Sequence, residues 1–150
     1  MSAGEQIYGA VEAGGTKFIC AVGRDVHDML EERRIATRQP AETLAVVLQF
    51  FHAMQLKYGR MRGFGIASFG PIQLDRRAPD WGRMLATPKA GWANANLVRA
   101  LRPVADLELH GVDESEHGLH VHGAHAARYE SAALQARVLG QSHRARPVDE

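Results

Sequence analysis

The stretch VEAGGTKFICAVG, Val11 to Gly23, sets Gly14, Gly15, Thr16 and Lys17 between two apolar runs, with Glu12 just ahead of them. Paired glycines let the backbone turn sharply and leave its N–H groups uncovered. A row of such amides forms a concavity that binds anions. Thr16 adds a hydroxyl donor and Lys17 a cation. Glu12 adds a carboxylate suited to Mg²⁺, held through water. A nucleotide's phosphate tail and its metal need these same pieces. Neither the GxxxxGK[ST] spacing nor GxGxxG is present. Alone, a Gly-Gly turn between strands reads first as a hairpin. Two further loops carry polar and glycine residues: Ser68-Phe69-Gly70-Pro71 and Lys89-Ala90-Gly91-Trp92. Alone, Ser68 opens a turn, Lys89 is a solvated charge and Trp92 is core.

The elements that must position these loops follow from pattern. Residues 7–12 and 17–23 read as strands joined by the Ala13–Thr16 turn. Residues 28–36, DMLEERRIA, fit a third strand closing a meander, or a helix, since Glu and Arg favour one. Residues 41–57 are the clearest helix: Leu44, Val47, Leu48, Phe51 and Met54 form an apolar stripe. Pro40 and Glu42 suit its first turn, and Gly59 stands at its stop. Met61 to Ala67 reads as a buried strand weakened by Gly63 and Gly65. Residues 73–83 read as an exposed excursion, 84–86 as a short edge strand, and 94–102 as a short helix stopped by Pro103. Three strands and then alternating helix and strand predict an α/β layout, a mixed sheet with helices on its faces. In such sheets ligands sit beyond strand ends, where all three loops fall.

The chain has 150 residues, 45% of them hydrophobic, enough for one domain with a core. Its net charge of +1 provides no field for nucleic acid. Charge is uneven, however. Residues 1–104 carry 14 Lys/Arg against 9 Asp/Glu, while residues 105–150 carry 4 against 8 and hold six of the eight histidines. That shift marks a boundary at about residue 104. The one cysteine, Cys20, excludes a disulfide framework and reads as a small core residue in a reducing compartment. No signal peptide opens the chain and no run is long enough to span a bilayer. The expectation is a cytoplasmic protein with no membrane partner.

Taken together and in order, VEAGGTKFICAVG, FGIASFGP and ATPKAGW resemble the amino-terminal half of the ROK family of sugar kinases, over residues 6 to 104. The bacterial fructokinase branch is the nearest in pattern. The Glu of EAGGTK and the Lys of TPKAGW favour that branch over the glucokinases. The resemblance implies an actin-like, ribonuclease-H-like kinase fold with two lobes, ATP and Mg²⁺ as cofactors, and nucleotide and hexose as substrates. Gly14, Gly15, Thr16 and Lys17 would line the ATP phosphates, and Glu12 would help place the metal. Ser68, Gly70 and Pro71 would form one wall of the sugar site. Lys89, Gly91 and Trp92 would form another. Family members are often homodimers, and the state of this chain stays open.

The resemblance stops after Pro103-Val104. The family's next segment, Asp-x-Asp-x-Asn-Ala-Ala, supplies the base for phosphoryl transfer. Here ADLELHGVDESEHGLHVHG follows. Asp106 and Asp113 are the nearest carboxylates, neither sits in the motif, and the base is left unassigned. The later Gly-Thr-Gly loop, the Cys/His zinc cluster and the second lobe are also missing. Residues 105–150 therefore read as a divergent His-rich tail, frameshifted or otherwise foreign, on a truncated and inactive kinase. His117, His120, His122 and His125 lie close together, but no carboxylate or cysteine completes a metal spacing. The rival reading is a binding-only remnant of a ROK-type protein. The ROK repressors place a DNA-binding domain ahead of the turn, and too few residues precede it here for one.

Overall fold

The computed structural model describes residues 6–25, 27–73, 75, 77–104, 112–115 and 118–121, the last two ranges as backbone. Strands β1 (Ile7–Ala13) and β2 (Lys17–Gly23) form an antiparallel hairpin, and β3 (Met29–Ala36) adds antiparallel to β2. Helix α1 (Pro40–Tyr58) then carries the chain to β4 (Met61–Ser68), which pairs parallel to β1. A short helix α2 (Leu97–Leu101) follows, and then a hairpin of β5 (Val112–Ser115) and β6 (Gly118–Val121). The sheet order is β3-β2-β1-β4-β6-β5, with β6 meeting β4 at Ile66. A three-strand meander, a helix, and a strand parallel to β1 make the mixed α/β, ribonuclease-H-like layout that the sequence predicts.

The ambiguous stretch resolves as strand because its charges have somewhere to go. β3 is an edge, and Glu32, Arg33 and Arg34 are exposed on it, which also discourages pairing with other chains. Glu31 turns toward α1 and accepts from Lys57 Nζ at 2.8 Å and Tyr58 Oη at 3.1 Å. Those donors hold the Glu31 carboxyl below the usual carboxylate range. Ile35 is the buried anchor of this strand.

Helix α1 starts at Pro40, whose missing N–H is no loss in a first turn. Gln39 provides no side-chain cap; instead Thr43 Oγ1 accepts from the Arg38 N–H at 2.8 Å. Gly59, at φ 95°, ends the helix, and its N–H donates to Gln55. The apolar stripe packs on the sheet as its spacing predicts, with Phe50 and Thr43 buried in addition. Phe51 is the centre of this layer, 4.7 Å from the ring of Phe64 and 5.0 Å from that of Phe50. Cys20 lies in the same core, and burial pushes its thiol well above the ordinary range.

Several sequence expectations change. Residues 84–86 form no strand; two isolated bridges, Ile72 to Met84 and Arg83 to Asn96, and loop hydrogen bonds such as Leu85 N–H to the Pro71 carbonyl hold the excursion. The second helix is shorter than 94–102, because Asn94 takes φ 70° and Asn96 serves as the cap, accepting from the Arg99 N–H at 2.9 Å. Strands β5 and β6 fall where no period was legible. The pattern from Val104 to Leu109 reads as a strand, that from Ala124 to Leu139 as a helix and that from Gln141 to Glu150 as disordered; beyond Val104 these stretches, and the histidine side chains of the tail, lie outside the described residues.

The packing makes a stability prediction. Phe51→Ala should lower the unfolding free energy by about 3–5 kcal/mol, since it removes a fully buried ring. Leu56→Gln, at a position 90% exposed, should change it by less than about 0.5 kcal/mol. Urea denaturation of both variants checks the contrast, and equal losses would refute this packing.

Candidate functional site

Strand directions gather the loops. β1, β3 and β4 run the same way and β2 runs against them, with Ala13 paired to Phe18 and Ser68, and Phe18 paired to Ile35. The 14–16 turn, the 37–39 connection and the 69–71 loop therefore leave the same end of the sheet. The Phe69 N–H donates to the Ala13 carbonyl at 2.8 Å, which ties the loop after β4 to the end of β1.

The turn is only partly open. The Gly14 N–H is spent on the Lys17 carbonyl at 3.0 Å, so it is not one of the bare amides. Among the described residues nothing accepts from the amides of Gly15 or Thr16, or bonds the Thr16 hydroxyl. Lys17 is half-buried at the start of β2, and no described carboxylate pairs with it. The two glycines also differ in kind. Neither has a left-handed φ. A Cβ on Gly14 would stand 2.6 Å from the Lys17 carbonyl oxygen, whereas one on Gly15 would meet nothing within 4 Å. Gly14 is thus required by the hairpin, whereas Gly15 stands beside open space. Two unspent amides, a hydroxyl and an ammonium are gathered at one corner, a donor set whose chemistry suits an anion.

Glu12 lies on the same face of the sheet as Lys17, since it pairs with Ile19. Strand alternation puts both opposite α1. Among the described residues no three His, Cys, Asp or Glu side chains come together. Glu12 is the carboxylate this face would offer a metal, with phosphate oxygens and water completing its shell. That donor set fits Mg²⁺.

The remaining predicted residues approach from the α1 face. Ser68 is buried, and its hydroxyl donates to the Phe69 carbonyl at 2.8 Å and lies 3.8 Å from Met84 Sδ. Gly70 and Pro71 follow through a cis peptide, with Pro71 exposed and its carbonyl accepting from the Leu85 N–H at 2.9 Å. Lys89 is half-buried, and its carbonyl accepts from the Trp92 N–H at 3.2 Å. Gly91 has φ 83° and packs on Gln39, where a Cβ would collide with the amide of that side chain. Trp92 is fully buried. Its Nε1–H donates to the Arg38 carbonyl at 2.8 Å, and its ring stands 5.4 Å from that of Phe18 and 5.7 Å from that of Phe69. Trp92 thus presents no surface to a ligand and holds the loop from beneath.

These contacts bring the three sequence motifs into one place. Phe18 comes from the first, Phe69 from the second and Trp92 from the third. The ROK family model matches residues 8–111. The chain belongs to the ROK family. The match runs seven residues past the boundary at 104. A fructokinase of Zymomonas mobilis is 43% identical over 95 residues, covering 63% of this chain and 32% of that protein. A Lactococcus lactis fructokinase is 36% identical over 103 residues, covering 69% of this chain and 34% of its own length. The chain thus spans about a third of the curated relatives it matches. A ROK family glucokinase from Streptomyces griseus, solved with glucose and AMPPNP, aligns at a TM-score of 0.49 and 21% identity, over 65% of this chain and 29% of that one. No helix among the described residues is long and apolar enough to cross a membrane.

Sequence reasoning passed over Thr37, Arg38 and Gln39, which join the turn to the 87–92 loop. Thr37 is buried, and a polar residue directly after a strand was the available signal. The turn itself can be tested by substitution. Gly14→Ala should cost about 1–3 kcal/mol, because its Cβ meets backbone that cannot move aside. Gly15→Ala should fold within about 0.5 kcal/mol of the parent. Denaturation curves showing the reverse order would contradict this turn geometry.

Proposed function

We propose that this chain carries the nucleotide-phosphate end of an ATP-dependent hexose kinase, with fructose as the hexose. The observation that carries the reading is the pair of unspent amides at Gly15 and Thr16, beside the Thr16 hydroxyl and Lys17. The fructokinases among its relatives support fructose as the sugar.

On this reading Gly15, Thr16 and Lys17 contact the phosphates, and Gly14 shapes the turn rather than donating. Glu12 orients Mg²⁺ through water, and the metal supplies charge neutralisation on the phosphates. Ser68, Gly70, Pro71, Lys89 and Gly91 form the sugar side, with Trp92 as its support. Phosphate and sugar groups belong to opposite faces of the sheet, so a complex of both passes over the strand ends beside Gly15. Catalysis of this kind rests on positioning and electrostatics. The base is unassigned: Asp106 lies outside the described residues, and of Asp113 only the backbone is described. The chain alone is therefore expected to bind without turning over. Its cellular place on this reading is the cytoplasm, with nucleotide and hexose as partners and no nucleic acid.

A binding module without catalysis is the second reading. What favours it is that the Ser68 hydroxyl and the Trp92 N–H are both committed inside the protein. Calorimetry separates the two. A kinase lobe should bind MgAMPPNP saturably, weaken about tenfold or more in Lys17→Ala, and bind fructose more tightly once the nucleotide is present. A module for one ligand should show no such coupling. No nucleotide binding at all would overturn the first reading. Fructose turnover above background, lost in Lys17→Ala, would overturn the expectation that the chain is inactive alone.

A further inference from the structure

Thr37 uses both of its polar groups on the turn. Its N–H donates to the Thr16 carbonyl at 2.9 Å, and its hydroxyl donates to the Gly14 carbonyl at 2.7 Å. These two bonds bracket Gly15. The Gly14 carbonyl and the Gly15 N–H belong to one planar trans peptide and point in opposite directions. A hydroxyl that fixes the carbonyl therefore aims the amide away from Thr37, out of the opposite side of the peptide. The unspent amide is thus held in place before any ligand arrives, which lowers the ordering cost of binding.

The next residues continue the connection. The Arg38 carbonyl accepts from Trp92 Nε1–H at 2.8 Å, and the Arg38 N–H donates to Thr43 Oγ1 at 2.8 Å. Gln39 lies against Gly91. Three consecutive residues thereby reach the phosphate turn, the first turn of α1 and the 87–92 loop. Of the three, Thr37 is buried, while Arg38 reaches its partners through backbone atoms and the Gln39 side chain is exposed.

We propose that Thr37 is a positioning residue that aims the Gly15 amide and couples occupancy of the 14–16 turn to the geometry of the 87–92 loop. This rests on the nucleotide reading of the turn. When an anion draws on the Gly15 amide, the 14–15 peptide shifts, and Thr37 transmits the shift to Arg38 and Trp92.

Titration of the ¹⁵N-labelled 150-residue chain with MgAMPPNP tests it. In the parent protein the amide signals of Gly15 and Thr16 should move, and those of Lys89 to Trp92, with the Trp92 indole, should move with the same midpoint. Thr37→Val keeps the N–H bond but removes the hydroxyl. It should weaken MgAMPPNP about tenfold and leave the 87–92 signals still while the turn signals move. Thr37→Ser should restore the parent pattern, which a purely steric role for the side chain would not predict. Loop signals that stay still in the parent protein, or that still move in Thr37→Val, would overturn the coupling; the parent result decides even if Thr37→Val fails to fold. Turn signals that never move would overturn the nucleotide reading itself, and this proposal with it.

Discussion

Burial of the Trp92 ring is the contact on which the site end of the sheet depends. The indole sits between Phe18 and Phe69 and bonds the backbone of Arg38. Burying a side chain of that size stabilises a fold by a few kcal/mol, about 3 or more at ordinary transfer values. The net worth of its hydrogen bond is nearer about 1 kcal/mol. Burial therefore sets the strength of the join, and the N–H sets its register. That ring joins the strand after the glycine turn and the loop after β4 to the 87–92 loop.

A division of labour follows between faces. Apolar contact on the α1 side fixes where the strand ends lie. Polar contact beyond those ends, through Thr37, fixes how the turn's carbonyls point. The chemistry proposed for the site belongs to what is left over: the Gly15 amide, whose peptide partner, the Gly14 carbonyl, is held by Thr37, and the Thr16 amide beside it. An anion there would replace water on a donor whose direction is already set, the condition under which such donors contribute most. Gly14 shows the opposite use of a glycine, giving room to a neighbouring carbonyl rather than to a ligand.

Much of this was legible in the sequence where period and burial agree. The first two strands are near-continuous apolar runs on either side of the glycine turn, and α1 carries its stripe at helical spacing, so both are found close to their predicted bounds. The third strand was open to two readings because its residues favour a helix locally, and only the edge position and the α1 contact decide for strand. β5 and β6 were illegible, since short polar strands have no amphipathic signal and take their pairing from a neighbour. At the site, residue type identified the turn, but not which of its amides is spent; that depends on the Gly14 to Lys17 pairing. Trp92 read as core when taken alone and as wall through the family resemblance, because an indole serves either purpose until its partners are known. Thr37 was passed over because its role lies in contacts with residues 14 and 16, far away in sequence.

Hydrogen exchange at the Trp92 indole tests the central claim most directly. If the ring joins three motifs in a closed interior, its Nε1–H should exchange only through global unfolding, at a rate that rises with added urea in step with the loss of stability. Exchange under native conditions at the rate of a solvent-exposed indole, unaffected by urea, would show that the loops are not joined there, and the account of the site would fail.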